Sequence, residues 1–503
     1  MQDLGSFDLI VVGGGINGAG IARDAAGRGL SVLLCEKDDL AQGTSSRSGK
    51  LVHGGLRYLE YYEFRLVREA LIEREVLLNA APHIIWPMRF VLPHSPDQRP
   101  VWMIRLGLFL YDHLGGRKKL PPTRSLDLTS APEGKPIRSA YRKAFEYSDC
   151  WVDDARLVVL NALDLKKRGG TVRTRTPLSA AHRNADSWIV ELAEGATGKA
   201  LTARGKVIVN AAGPWVEDVL RSTGSNAGNR VRLVKGSHII MRKFWEGEQA
   251  YLLQNTDKRV IFVNPYEGDL CLIGTTDIPF DGAASEVRIA PDEVDYMHSV
   301  VNRYFKVDRK PADVVHAFSG VRPLYDDKAA NPSAVTRDYV FDVDAPLGEA
   351  PMLSVFGGKI TTYRKLAEHA LEKLKPFFRD MGAAWTEKAV LPGGDMPGAD
   401  FAAFLADMAR RYPWLPAPVA AGYGRRYGTR AHDLLRGASS LADLGRLFGG
   451  TFYEREARFL IAQEWATTAE DILTRRTKHD LHLSAPERAG FEDWLMSPKA
   501  PAS

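Results

Sequence analysis

The stretch "DLIVVGGGINGAGIARDAAGRGLSVLLCE", Asp8 to Glu36, decides the fold. It opens with the β-branched run "DLIVV", turns through glycines, continues in a helical pattern and returns as the apolar strand "SVLLCE". Strand, glycine turn, helix and strand in fewer than 30 residues make one βαβ unit. Gly13, Gly15 and Gly18 stand in GxGxxG spacing, with Asn17 inside the turn and Glu36 closing the second strand. Alone that spacing is weak; after a strand, before a helix and answered by an acid, it marks a dinucleotide site. Gly13 permits the tight turn, Gly15 lets backbone approach a pyrophosphate, and Gly18 allows close helix–sheet packing. The helix N-terminus offers free N–H groups to the diphosphate. Glu36 would accept hydrogen bonds from the adenosine ribose and repel an extra phosphate there.

Bulk properties bound the rest. The chain has 503 residues, enough for two to four domains, with 45% hydrophobic and 26% charged residues. Lys and Arg number 67 against 62 acids, so the net charge of +5 gives little support to nucleic acid as a partner. Cys35, Cys150 and Cys271 are far apart and show no metal-ligand or disulfide spacing, which points to a reducing cytosol and no metal. The N-terminus has no secretory pattern, and no run of 18 apolar residues predicts a spanning helix.

Two further glycine turns extend the cofactor site. "VIVNAAGPW" places Ala212, Gly213 and Trp215 after a strand, and "FGGKITTYRKLAE" places Gly357, Gly358, Lys359 and Thr361 at a helix start. Three such turns across one chain suit a long flavin dinucleotide, non-covalent FAD, better than NAD. A helix N-terminus at the last turn could stabilise negative charge on a reduced isoalloxazine. Between these turns, Leu59 to Asn79 reads as a helix and Pro121 to Ser139 as loop. From Arg232 to about Asp281 the strands alternate as in an antiparallel sheet, and beyond the Gly/Pro cluster near residue 390 the chain is amphipathic and helical. The expected fold is α/β: a Rossmann-like FAD-binding domain of the D-amino-acid-oxidase/glutathione-reductase type, an inserted antiparallel-sheet substrate domain and a C-terminal helical domain. The segments are 1–85, 145–231 and 315–388 for FAD, 86–144 and 232–314 for the cap, and 389–503 for the helical domain.

The motifs "TSSRSGKLVHGGLRYLE", "FEYSDCWVDDARLV", "KGSHII", "IGTTD", "SGVRPL", "TRDY" and "FGGKITTYRKLAEHALEKL" closely resemble the FAD-dependent, quinone-linked sn-glycerol-3-phosphate dehydrogenases of aerobic bacteria. The resemblance spans nearly the whole chain and is weakest over residues 121–137 and the last 20. It implies oxidation of glycerol 3-phosphate to dihydroxyacetone phosphate, with electrons passed to ubiquinone. It further implies a homodimer, peripheral on the inner face of the cytoplasmic membrane. It matches Arg57, His238, Arg322, Arg337 and Lys359 to the substrate pocket, with Tyr58 beside them.

The chemistry agrees. A phosphate dianion calls for several cations, arginines above all, and hydride leaves a carbinol carbon only as its hydroxyl loses a proton. His238 is the leading candidate base, since an unperturbed imidazole titrates near neutrality. Arg322 could instead orient the hydroxyl while water takes the proton, and with Lys359 these form the catalytic set. Ser45, Ser46, Ser48 and Lys50 are expected to follow the dinucleotide toward the flavin, with His53, Gly54 and Gly55 beside the ring and Thr44 and Leu51 also binding the cofactor. A soluble glycerol-phosphate oxidase using O2 and releasing H2O2 is the alternative; the extra inserted segment usual in such oxidases is not seen. Arg99 to Leu120, "RPVWMIRLGLFLYDHLGGRKKL", is equally readable as a monotopic membrane helix with Trp102, Tyr111 and the basic end Arg117, Lys118, Lys119, or as a buried helix.

Overall fold

The fold is seen in a computed structural model, which describes residues 2–96, 98–116, 119–195, 197–225, 230–326 and 338–497. Its first layer grows from the strand Gln2–Val12, which pairs in parallel with Val32–Cys35 on one side and Ala200–Asn210 on the other. Thr171–Arg173 and Met352–Gly357 extend the parallel sheet, and Tyr339–Asp344 closes one edge antiparallel. Leu9, Ile10 and Val11 are fully buried because both faces of this sheet are covered, which is why the run reads as continuously apolar. The helices Ile16–Gly27, Asp154–Lys167 and Tyr363–Leu374 fill one face through Ala19, Ala22, Leu160 and Leu366. The alanine-rich first helix permits close approach: a side chain at Gly20 would meet the Tyr363 ring at 2.7 Å. A hairpin, Leu178–Arg183 with Trp188–Ala193, covers the other face.

The second layer is a ten-stranded sheet, antiparallel apart from the Ala250–Gln254/Ile85–His94 pair. Towards one edge Val231–Arg242 is hydrogen-bonded to Leu270–Gly274 on one side and to Val314–Tyr325 on the other. Lys143–Val152 and Val314–Tyr325, at the starts of segments expected in the FAD domain, are hydrogen-bonded into this sheet. Alternation sorts each strand: Ile261 and Val263 face a core with Ile239 and Met241, while Val260, Phe262 and Asn264 face the first layer. A C-terminal unit follows, with helices such as Phe401–Arg411, Ala417–Tyr427 and Glu454–Gln463 around Met408, Tyr423, Phe452 and Phe491.

Two local readings are corrected. The helix expected from Leu59 begins at Phe64, because Leu56–Tyr61 forms a 3₁₀ turn ended by Tyr62 at φ 60°. Pro121 to Ser139 contains the short strand Arg124–Asp127. The Arg99–Leu120 segment is a helix over Val101–Leu114 that buries Leu108 and Tyr111 but leaves Trp102 64%, Leu106 52% and Phe109 58% exposed. Among the described residues no helix is long and apolar enough to cross a membrane.

Candidate active site

In an open α/β sheet the ligand crevice lies at the carboxyl ends of the strands, where the strand order reverses. Here that point follows Val12, flanked by the ends of Val32–Cys35 and Ala200–Asn210, and a cavity of about 890 Å³ opens there. It runs between the two sheets to a mouth framed by Tyr61, Tyr62, Trp102 and Leu106. Its size is near the upper end for ligand pockets, roughly 300–1,000 Å³.

The glycine turn is shaped by close approach. Gly13 has φ +113°, and a Cβ there would meet the Ala211 carbonyl oxygen at 2.5 Å; one on Gly18 would lie 1.9 Å from the Gly13 oxygen. Gly15 differs: its φ is −82°, and its nearest neighbour would be Ser45 Oγ at 3.1 Å. The protein leaves that space for something else. Ser45 Oγ accepts the Ile16 N–H at 3.0 Å, fastening the helix start to the following loop. Glu36 accepts N–H bonds from Gly14 at 2.6 Å and Asp38 at 2.8 Å. Burial raises its pKa, against the lowering effect of those two bonds. Lys37 Nζ lies 4.2 Å from the Trp215 ring centre, and Thr44 donates to the Val321 carbonyl at 2.7 Å, tying this loop to the second sheet.

At the far end, Gly357 and Gly358 take φ of 78° and 102°, and Asn17 Nδ2 donates to the Gly357 carbonyl at 3.2 Å. Thr361 Oγ1 accepts the His53 N–H at 3.2 Å. Lys359 Nζ sits 3.8 Å from the Tyr58 ring centre, a cation–π contact that holds its charge inside the cavity. Arg322 is ion-paired with Asp277 and donates to Thr275 Oγ1 at 3.3 Å. Gly236 makes room for it: a Cβ there would stand 2.8 Å from both Arg322 Nη2 and Thr275 Oγ1. His238 is 2% exposed and stacks on Phe318 at 4.9 Å, and its Nδ1 has no hydrogen-bond partner among the described residues. Burial, then Arg322 and Lys50, pushes its pKa down to about 3.

The cavity wall thus brings together Gly13, Gly15, Asn17, Glu36, Thr44, Ser45, Ser48, Leu51, His53, Arg57, Tyr58, Ala212, Gly213, Trp215, His238, Arg322, Gly357, Gly358, Lys359 and Thr361. Four expected cofactor residues lie off it. Gly18 packs under Gly13, in keeping with its helix–sheet role. Lys50 is buried in a 2.8 Å pair with Asp154, which spends its charge away from the cavity; its Nζ also bonds the carbonyl of Ser46, the fourth residue off the wall, at 3.1 Å. Gly54 sits against Leu71 and Tyr111 and donates to Asp149. Arg337, Arg117 and Lys118 lie outside the described residues. Sequence reading missed Asp277, Thr275 and Phe262. The first two stand in "IGTTD", whose polar end after an apolar strand was the available signal. Among the described residues no His/Cys/Asp/Glu group could hold a metal ion.

The depressed pKa of His238 predicts a stability effect. Neutral in the fold down to about pH 3 but protonating near 6.5 when unfolded, His238 contributes stability that is complete above 6.5 and is lost as pH falls toward 3. Denaturant unfolding between pH 7.5 and 4.5 should show wild type losing about 1.4 kcal/mol more per pH unit below 6 than His238→Gln. Parallel curves for the two proteins would refute it.

Residues 8–364 match the family model described as FAD dependent oxidoreductase, and residues 384–487 match the C-terminal domain of alpha-glycerophosphate oxidase. The D-erythritol 1-phosphate dehydrogenase of Brucella abortus is 64% identical over 98% of this chain and 99% of its own. The aerobic glycerol-3-phosphate dehydrogenase of Escherichia coli is 51% identical over 97% of each chain. In fold, the glycerol-3-phosphate dehydrogenase from Bacillus halodurans, solved in complex with FAD, aligns with TM-score 0.76 at 24% identity, covering 97% of this chain and 94% of that one. The chain belongs to the FAD-dependent oxidoreductases, in their glycerol-3-phosphate dehydrogenase family. Its cofactor is FAD, and the residues present fit that group: the open cradle over Gly15, the Glu36 carboxylate after the second strand, which would meet the adenosine ribose, and the glycine pair before Lys359.

Proposed function

We propose that this chain oxidises a secondary hydroxyl of a short polyol phosphate and passes the electrons to a membrane quinone. The observation that carries this reading is that three cations, Arg57, Arg322 and Lys359, line the same cavity as the buried imidazole of His238, with Arg322 near enough to lower its proton affinity. Bound FAD would supply the hydride acceptor. Arg322, with Arg57, takes the phosphate dianion, and Lys359 spans substrate and cofactor. His238 takes the hydroxyl proton. Burial holds its proton affinity down first and Arg322 second, so a dianion arriving on Arg322 offsets the smaller of these two causes and moves the imidazole part of the way up.

Identity favours the four-carbon substrate. The chain is 64% identical to the erythritol-phosphate enzyme against 51% to the glycerol-phosphate enzyme of Escherichia coli, which supports D-erythritol 1-phosphate over glycerol 3-phosphate. The test is anaerobic mixing of the yellow protein with each compound. Bleaching at 450 nm is expected with both, with kcat/KM at least about tenfold higher for D-erythritol 1-phosphate, a preference of roughly 1.4 kcal/mol. No bleaching with either would end this reading; a preference for glycerol 3-phosphate would reverse the substrate order.

The acceptor reading rests on the cavity mouth, where Trp102 and Leu106 of the Val101–Leu114 helix are exposed beside Tyr62. An apolar rim with interfacial rings suits peripheral contact with a bilayer on the cytoplasmic side, and a lipid-soluble quinone would enter there.

A further inference from the structure

Among the described residues, none beyond Thr361 lines the cavity, yet the C-terminal unit grips two of the segments that do. The π-helical turn Asp471–Arg476 is its point of contact. Asp39, fully buried, accepts from Arg475 Nε at 2.7 Å and from both Arg476 Nη atoms at 2.8 Å. Arg475 also bonds Asp471 at 2.5 Å, and Asp471 takes Arg175 Nη2 at 2.6 Å. The Arg175 N–H in turn bonds the Asp38 carbonyl at 2.8 Å. Asp39 belongs to the turn in which Glu36 receives the Gly14 N–H and Ala41 donates to the Gly14 carbonyl at 3.1 Å. This turn and the glycine turn are therefore one hydrogen-bonded body.

A second grip lies along the chain. Lys478 Nζ bonds both Asp153 oxygens at 2.5 Å. The next residue, Asp154, holds Lys50 at 2.8 Å and the Ser48 hydroxyl at 2.7 Å. Ser48 lines the cavity. Burying this many charges between two units is costly in desolvation and does little for net stability, but it does fix register, because each charge left unpaired is expensive. A π-turn is a common way to aim side chains at a functional site.

We infer that Arg475, Arg476 and Lys478 are positioning residues for the cofactor site: the C-terminal unit clamps the 36–42 turn and the 44–50 loop and thereby sets FAD affinity. The test titrates FAD into deflavinated full-length protein, following quenching of flavin fluorescence. Arg476→Gln is compared with Arg430→Gln, which removes a 2.6 Å bond inside the C-terminal unit to Glu464, the carboxylate that Arg156 holds from across the interface, and bonds neither cofactor segment. Arg476→Gln is expected to raise the FAD Kd about tenfold or more, whereas Arg430→Gln lowers Tm and leaves Kd within about twofold. Wild-type FAD affinity in Arg476→Gln overturns the inference, as does equal weakening in both variants, which would mark a generic interface effect. If Arg476→Gln does not fold, Lys478→Met decides: about fivefold weaker FAD binding supports the clamp, and an unchanged Kd refutes it.

Discussion

Replacing Gly15 by valine is expected to yield a folded, colourless protein whose FAD affinity has dropped at least about a thousandfold. The three fingerprint glycines do different jobs, and the spaces around them separate those jobs. A Cβ on Gly18 would strike the Gly13 carbonyl oxygen at 1.9 Å, and Gly13 itself sits at φ +113°, so substitutions at either disturb the fold before any ligand is considered. Gly15 has an ordinary backbone conformation and only Ser45 Oγ, at 3.1 Å, within reach. Among the described residues a Cβ there presses on Ser45 Oγ alone, which has to give by a few tenths of an ångström. What a valine would fill is the space over the helix N-terminus where a pyrophosphate must come close to backbone N–H groups. Circular dichroism and thermal unfolding of the apoprotein should stay near wild type while flavin absorbance is lost. A Gly15→Val protein that stays fully yellow would mean that the dinucleotide does not cross this turn. A protein that unfolds would move Gly15 into the structural class of Gly18.

The readable parts of this sequence were those whose cause is local. A β-branched run, a glycine triplet and an alanine-rich helix pattern lie side by side in the chain, and their packing follows from their own side chains. Arg322 after Ser-Gly and Lys359 after two glycines were likewise visible, because small neighbours leave room for a functional cation. Pairings across sequence were not visible. Lys50 looks like a phosphate ligand until Asp154, some hundred residues away, takes its charge. Arg322 gave no sign of Asp277, since the two meet only when Val231–Arg242 pairs with Val314–Tyr325 along one edge and with the chain after Gly274 along the other. Tyr62 at positive φ delayed a helix whose apolar period begins earlier, an outcome that propensity alone does not announce. The clamp of Arg475 and Arg476 on Asp39 belongs to this same class: "TRRTK" reads as a solvated basic run until its partner is known.

Arg322→Ala is expected to lower kcat/KM by about a thousandfold while the protein keeps its full complement of FAD. Two terms add. On the proposed reading the variant loses a charge-assisted contact to the substrate phosphate, and it also removes one positive partner of the Asp277 carboxylate. The pair keeps 27% and 15% of its side-chain surface exposed in the open cavity; once bound ligands desolvate it, truncating one member costs roughly 2–5 kcal/mol, much of it the penalty on the partner left behind. At about 1.4 kcal/mol per decade, that range brackets a thousandfold loss. The second term can be isolated. In Arg322→Ala/Asp277→Asn the repelling carboxylate is gone, so part of the lost activity should return even though the double variant is further from wild type. Arg322→Lys should recover little, because a single ammonium cannot reach the phosphate and Thr275 Oγ1 with the geometry of a guanidinium. Flavin retention decides the assignment: if Arg322→Ala loses FAD along with activity, the guanidinium serves the cofactor. If the double variant is no better than the single, the deficit lies in the missing phosphate contact alone, and Asp277 only orients Arg322.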